Sequence, residues 1–184
     1  MSPLRSPLGR AIVVAAMVIC LLPSLRAGPA SSAYQDTVAP LLTDVPAGSA
    51  AIMLTAHPSR IWPMDEQAGL VWPSRYYSFW MFYAVARHEH DQGPLQSQVE
   101  VMADKVRANT VEDLLCNSPE IILVDDFSHS ETPGLDILAF FRQNEMFARL
   151  FAAYGETKKS GDFTAYRRQG DLPSRLSGGC RTVY

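Results

Sequence analysis

The run Ile121-Ile122-Leu123-Val124 limits what this chain can become more than any other stretch. Four branched apolar residues in succession show neither the helical nor the alternating period, and Pro119 and Asp125-Asp126 bracket them too closely for a helix. Such a run is a strand covered on both faces, as in a sheet layered with helices, and it delivers two carboxylates to its carboxyl end. Ala50-Ala51-Ile52-Met53-Leu54-Thr55-Ala56 has the same continuous character, follows the turn-rich Val45-Pro46-Ala47-Gly48, and stops at His57-Pro58. Two buried strands with helical sequence between them are expected to be parallel neighbours.

Helical patterns fill the intervals. Tyr34 to Thr43 predicts a short helix, Ser59 to Arg75 a long ordered loop broken by Pro63, Gly69 and Pro73, and Tyr76 to Arg87 an aromatic helix packed on the sheet. His88-Glu89-His90-Asp91-Gln92-Gly93-Pro94 is expected to end that helix. From Leu95 to Ala108, Val99, Met102 and Val106 recur at helical spacing, opposite Glu100, Asp104, Lys105 and Arg107. Thr110 with Asp113 has the form of a capping box and predicts a second helix, which Asn117-Ser118-Pro119 ends. Leu135 to Tyr154 carries an apolar stripe through Leu138, Phe141, Phe147 and Phe151, a long helix bent near Asn144 and stopped by Gly155. Glu156 to Arg168 predicts a hairpin turning at Lys159-Ser160-Gly161-Asp162, and the tail beyond Gln169 is rich in Gly, Ser and Arg. The expected class is α/β: a small sheet with parallel inner strands and an antiparallel edge hairpin, helices packed on it, and one N-terminal apolar helix.

That apolar helix is the segment Ala11 to Leu25, uncharged, preceded by Arg5 and Arg10 and closed by Arg26. At about 15 residues it matches the core of a signal peptide and falls short of the roughly 20 that cross a bilayer, while Ser31-Ser32-Ala33 supplies small residues for cleavage. The expected division is 1–33 signal peptide or membrane anchor, 34–169 extracytoplasmic α/β domain, and 170–184 loose tail. The basic flank keeps the N-terminus in the cytoplasm. The domain is therefore placed in the periplasm, either tethered to the inner membrane by a single pass or secreted.

Composition narrows function mainly by exclusion. A net charge of −3 offers no basic footprint for nucleic acid. Cys20, Cys116 and Cys180 have no metal-ligand spacing, leaving Cys116 with Cys180 as the one soluble disulfide open to the chain, and His88-Glu89-His90-Asp91 is a solvated turn. No G-x-S-x-G turn follows a strand, and no Gly-rich loop follows the first one, so neither a serine hydrolase motif nor a phosphate cradle is expected. No metal and no cofactor is called for. Parallel strands would bring His57 and Asp125 to one carboxyl edge, with Asp126 beside them and Trp72 and Arg75 folding over from the long loop. These five are the candidate ligand-binding residues. The plainer reading makes the aspartates backbone caps and the aromatic group Trp72, Tyr76, Tyr77, Phe79, Trp80 and Tyr83 mostly core.

The order of features carries a resemblance. An apolar span, Pro46-Ala47-Gly48-Ser49 before a strand, Trp72-Pro73-Ser74-Arg75 before Phe79-Trp80, Pro119 before Ile121 to Asp125, then Phe147 to Tyr154 and Tyr166-Arg167-Arg168 follow one another. The chain resembles the C-terminal extracytoplasmic domain of bacterial multi-pass glycosyltransferases that use polyprenyl-phosphate sugars. In that family the catalytic carboxylate belongs to the membrane portion, which has no counterpart in this sequence, so the resemblance implies no catalytic residue. It implies instead a non-catalytic accessory domain, with the cytoplasmic membrane, a multi-pass transferase and a sugar or glycolipid as partners. Two alternatives stand beside it: a small exported hydrolase using His57 and Asp125 as an acid–base pair, and a structural protein of the membrane surface with an exposed apolar patch.

Overall fold

Strands β1 (Ala51–Leu54), β2 (Ile121–Asp125), β3 (Tyr154–Ser160) and β4 (Phe163–Arg168) form one mixed sheet, in the spatial order β1-β2-β4-β3. The computed structural model describes residues 32–57, 68–90, 96–126 and 135–172. The chain divides into two compact units, Met1–Gln35 and Asp36–Tyr184, and all four strands belong to the second. Ala11 to Leu25, Cys20, Cys180 and the end of the tail lie outside the described residues. Among those described, no helix is long and apolar enough to cross a membrane.

The α/β class holds, and β1 and β2 are parallel, with Ala51 opposite Ile121 and Leu54 opposite Val124. The parallel pair is not the inner pair, however. β4 joins β2 antiparallel, Val124 opposite Thr164 and Asp125 opposite Phe163, which leaves β1 on one edge and β3 on the other. Chemistry explains the order: β4 carries the fully buried Phe163 and Ala165, whereas β3 reads Tyr-Gly-Glu-Thr-Lys-Lys-Ser and is largely exposed. The polar strand takes the edge, where charged side chains discourage further pairing.

Alternation along the buried strands β1, β2 and β4 sorts the core into two layers. Ile52, Leu54, Ile122 and Val124 face a large cluster under the helices α2 (Phe82–His90), α3 (Gln96–Asn117), α4 (Ile137–Arg142) and α5 (Glu145–Phe151). Ala51, Met53, Ile121, Leu123, Phe163 and Ala165 face the other way, onto Val38, Leu41 and Leu42 of helix α1 (Ser32–Leu42) and onto Leu70 and Trp72. A continuous apolar strand is required because both faces are covered. In the larger layer Phe79 stacks on Phe82 and Phe147 on Phe151, while Phe82, Phe140 and Phe141 meet edge to face. Offset and perpendicular contacts of this kind are what aromatic quadrupoles favour.

Three helix boundaries differ from expectation. α2 starts at Phe82, not Tyr76, because the Phe79 amide donates to the Thr55 carbonyl and the Tyr76 amide to the Ser74 hydroxyl, and it continues through His88-Glu89-His90. α3 is one helix of 22 residues. Thr110 and Asp113 lie inside it instead of opening a new one, and Asp113 spends its carboxylate on Ser74 and Arg75. The long helix expected to run to Tyr154 is two: Asn144 leaves the helical conformation and its side-chain oxygen accepts from the Met146 and Phe147 amides, capping α5, while Tyr154 and Gly155 already belong to β3.

Candidate functional site

At the carboxyl end of β1 the chain turns through Thr55, and at the end of β2 it reaches Asp125. Both follow their strands' alternation onto the α1 side of the sheet, and the Thr55 hydroxyl donates to Asp125 Oδ2 at 2.5 Å. Asp125 is buried, and a buried carboxylate requires donors to replace water. The same hydroxyl oxygen accepts from the His57 amide at 3.2 Å, so one side chain ties the ends of two parallel strands together. His57 is half-buried, and the Tyr83 hydroxyl lies 3.1 Å from its Nδ1 and 3.0 Å from its Nε2. A hydroxyl that close to both nitrogens stands off the carbon between them and bonds one at a time.

Asp126 continues past the strand, exposed, its amide donating to the Asp162 carbonyl of the hairpin turn. Beside it opens a cavity of about 400 Å³. Its floor follows from register: Val124, Thr164 and Lys159 are cross-strand neighbours in one row, and Tyr166 stands in the next, opposite Ile122. On this face Phe151 of α5 packs on Tyr154 of β3 and Tyr166 of β4, at the end of the hairpin away from its turn. Leu135, Asp136, Ile137 and Leu138, at the start of α4, form the opposite wall. Asp136 Oδ1 accepts from the Ala139 amide at 2.8 Å, capping α4.

Tyr166 is the aromatic wall, held by Phe151 at 4.9 Å between ring centroids. Burial, and then the charge of Glu156, push its phenol above the ordinary value; Arg142 opposes this and Asp136 adds to it. The hydroxyl is therefore neutral at physiological pH and able both to donate and to accept. Apolar walls with a few convergent polar groups are the usual make-up of a small-molecule site. Among the described residues, no group of three or more His, Cys, Asp or Glu side chains is placed to hold a metal ion.

Of the five residues singled out in the sequence, Asp125 and Asp126 border the cavity, and His57 is joined to Asp125 through Thr55. Trp72 and Arg75 go elsewhere. Trp72 packs into the α1 layer and its Nε1 donates to the Tyr76 carbonyl, while Arg75 is folded onto α3. Asp136, Lys159, Thr164 and Tyr166 do not stand out in the sequence. Their signal is the alternation of the hairpin, which places Thr164 and Tyr166 on one face once β4 is paired with β2. The aromatic group divides too: Phe79 is core, and Tyr77 and Trp80 are exposed. Cys116 is disulfide-bonded; the chain's other cysteines lie outside the described residues.

No protein-family model, no curated protein and no solved structure matches the chain.

Proposed function

We propose that this chain is a non-catalytic, extracytoplasmic accessory domain related to membrane glycosyltransferases, and that it holds a sugar or the head of a glycolipid at the carboxyl edge of its sheet. One observation carries the reading: the cavity beside Asp125 and Asp126, with Tyr166, Thr164, Lys159 and Asp136 around it. A sugar ring has an apolar CH face and a polar rim. Tyrosine and leucine meet the first, while carboxylate, hydroxyl and ammonium meet the second. The apolar run from Ala11 to Leu25 supports export, and the disulfide at Cys116 suits an oxidising compartment, where such bonds persist.

The test has two parts on the full-length chain. Mass spectrometry of the periplasmic and membrane fractions should find it there, with Cys116 oxidised. Titration with a neutral hexose, followed by NMR, should give saturable shifts confined to the hairpin and the start of α4. A cytosolic, unprocessed chain with a free Cys116 thiol, or a folded chain whose spectrum no sugar alters, would end the proposal. The hydrolase alternative keeps one argument, the link from His57 through Thr55 to Asp125. It requires turnover of an ester or glycoside that His57→Ala abolishes, and the accessory reading requires none.

A further inference from the structure

The charge at the cavity is unequal: Asp126 and Asp136 stand at it, the buried Asp125 carboxylate lies just across the sheet with Thr55, and Lys159 is the one cation among the described lining residues. A phosphate brought there would lose water and meet carboxylates, an arrangement that costs free energy at short range. Two features could have offset this, and neither is free to. The start of α4 offers amide donors, but Asp136 already caps it with its own carboxylate. Lys159 lies on the exposed edge strand β3, where solvent screens it as it screens Asp126 and Asp136, so a single ammonium is set against two carboxylates under the same screening. Neutral hydroxyls have no such difficulty. They donate to carboxylates and accept from Lys159, Thr164 and the Tyr166 phenol, and an amino group adds an ion pair.

We infer that the cavity takes a neutral or amino-bearing sugar ring and rejects phosphorylated sugars. This rests on the ligand site proposed above and narrows it: in a glycosyl transfer the ring held here would be of the acceptor class, since a polyprenyl-phosphate donor carries the anionic group that this lining disfavours. The Tyr166 ring supports the apolar face of the sugar, because Phe151 fixes its orientation. Asp126, exposed at the rim, is the residue best placed to meet an amino group.

The experiment is a panel of three probes titrated into the purified full chain: glucose, glucosamine and glucose 1-phosphate. Glucosamine should bind about threefold more tightly than glucose, equal affinity overturning the role given to Asp126, and the phosphate about tenfold more weakly than glucose. Asp126→Asn, a surface change that leaves the fold intact by circular dichroism, should remove the preference for glucosamine over glucose and narrow the discrimination against the phosphate. If the phosphate binds tightest, this inference is wrong while a polar-ligand site stands. If none of the three binds the folded chain, the site reading itself is wrong. A preference for glucosamine that Asp126→Asn leaves unchanged would also overturn the assignment of Asp126.

Discussion

Arg75 lies folded against Asp113, its Nε donating to Oδ1 at 2.8 Å and its backbone amide to Oδ2 at 3.0 Å. The guanidinium also reaches Glu112 at 2.6 Å and Asn109 at 3.2 Å, so a loop residue is bound to three positions on one face of α3. Burial pulls the Arg75 pKa down, and the bonds to Asp113 and Glu112 outweigh it, leaving a net rise. The cluster fixes the path of the chain from Trp72 to Phe79, and through it the Phe79 amide that closes on Thr55.

Arg75→Ala should therefore cost more than a surface substitution. It leaves the Asp113 carboxylate, 2% exposed, without its cation, and such half-removed pairs cost about 3 kcal/mol. For a domain of this size that is a fall in Tm of about 10 °C by calorimetry. Arg75→Lys should recover less than half, since an ammonium lacks the fork that serves Asp113, Glu112 and Asn109 together. A loss within 0.5 kcal/mol, roughly the size of an ordinary surface change, would mean the cluster contributes nothing.

Tyr154 gives the fold a dependence on alkaline pH. Its hydroxyl donates to the Pro119 carbonyl at 2.7 Å, and burial raises its phenol well above the ordinary value, Arg168 opposing and Glu120 adding. Below about pH 10 the tyrosine is neutral in both states and its contribution is complete. As pH rises further the unfolded chain ionises first, so stability falls until the folded pKa is passed. Tyr154→Phe should lose about 1 kcal/mol at neutral pH and show a shallower decline of the urea midpoint between about pH 9 and pH 11. An unchanged alkaline slope would show that other groups set it.

How far the sequence disclosed this arrangement depended on how local each signal was. Ile121 to Val124 announced a covered strand because four successive side chains must all be buried, and Lys159 to Asp162 announced a turn through its own chemistry. Strand order was not local: whether β4 or β1 neighbours β2 on the inner side is settled by Phe163 and Ala165 packing under α1, contacts far apart along the chain. The same holds at the site. Asp125 and Asp126 were legible as strand-end carboxylates, whereas Lys159, Thr164 and Tyr166 reach the cavity only because the hairpin register sets them beside Val124. Trp72 and Arg75 lie away from the cavity because the loop around them bonds to α3 and the α1 layer, partners that residue type alone does not specify.

The hairpin turn offers a test of its packing against α1. Gly161 has φ of +54°, and a Cβ there would come within 2.5 Å of Thr37 Cγ2. Gly161→Ala should cost about 2 kcal/mol, part from the left-handed backbone and part from the overlap. Thr37→Ser removes the offending methyl and keeps the hydroxyl. The double variant should recover the overlap and retain the backbone penalty of about 1 kcal/mol, read as a coupling in urea denaturation. Strict additivity would mean that the turn does not rest on α1.

Thr55→Val tests the bridge between the strand ends. Valine keeps the shape and removes both the donor to Asp125 and the acceptor for the His57 amide. A buried carboxylate losing a hydrogen bond should cost about 2 kcal/mol, and Thr55→Ser should restore most of it. Position also separates this role from ligand binding. Asp125 meets Thr55 on the α1 side, whereas Val124, Thr164 and Tyr166 line the cavity from the helical side. Thr55→Val should then lower stability and leave sugar affinity within about twofold. If affinity falls in step with the loss of the hydroxyl while the fold holds, Thr55 and Asp125 are part of the binding surface, and the two sides of the sheet act as one site.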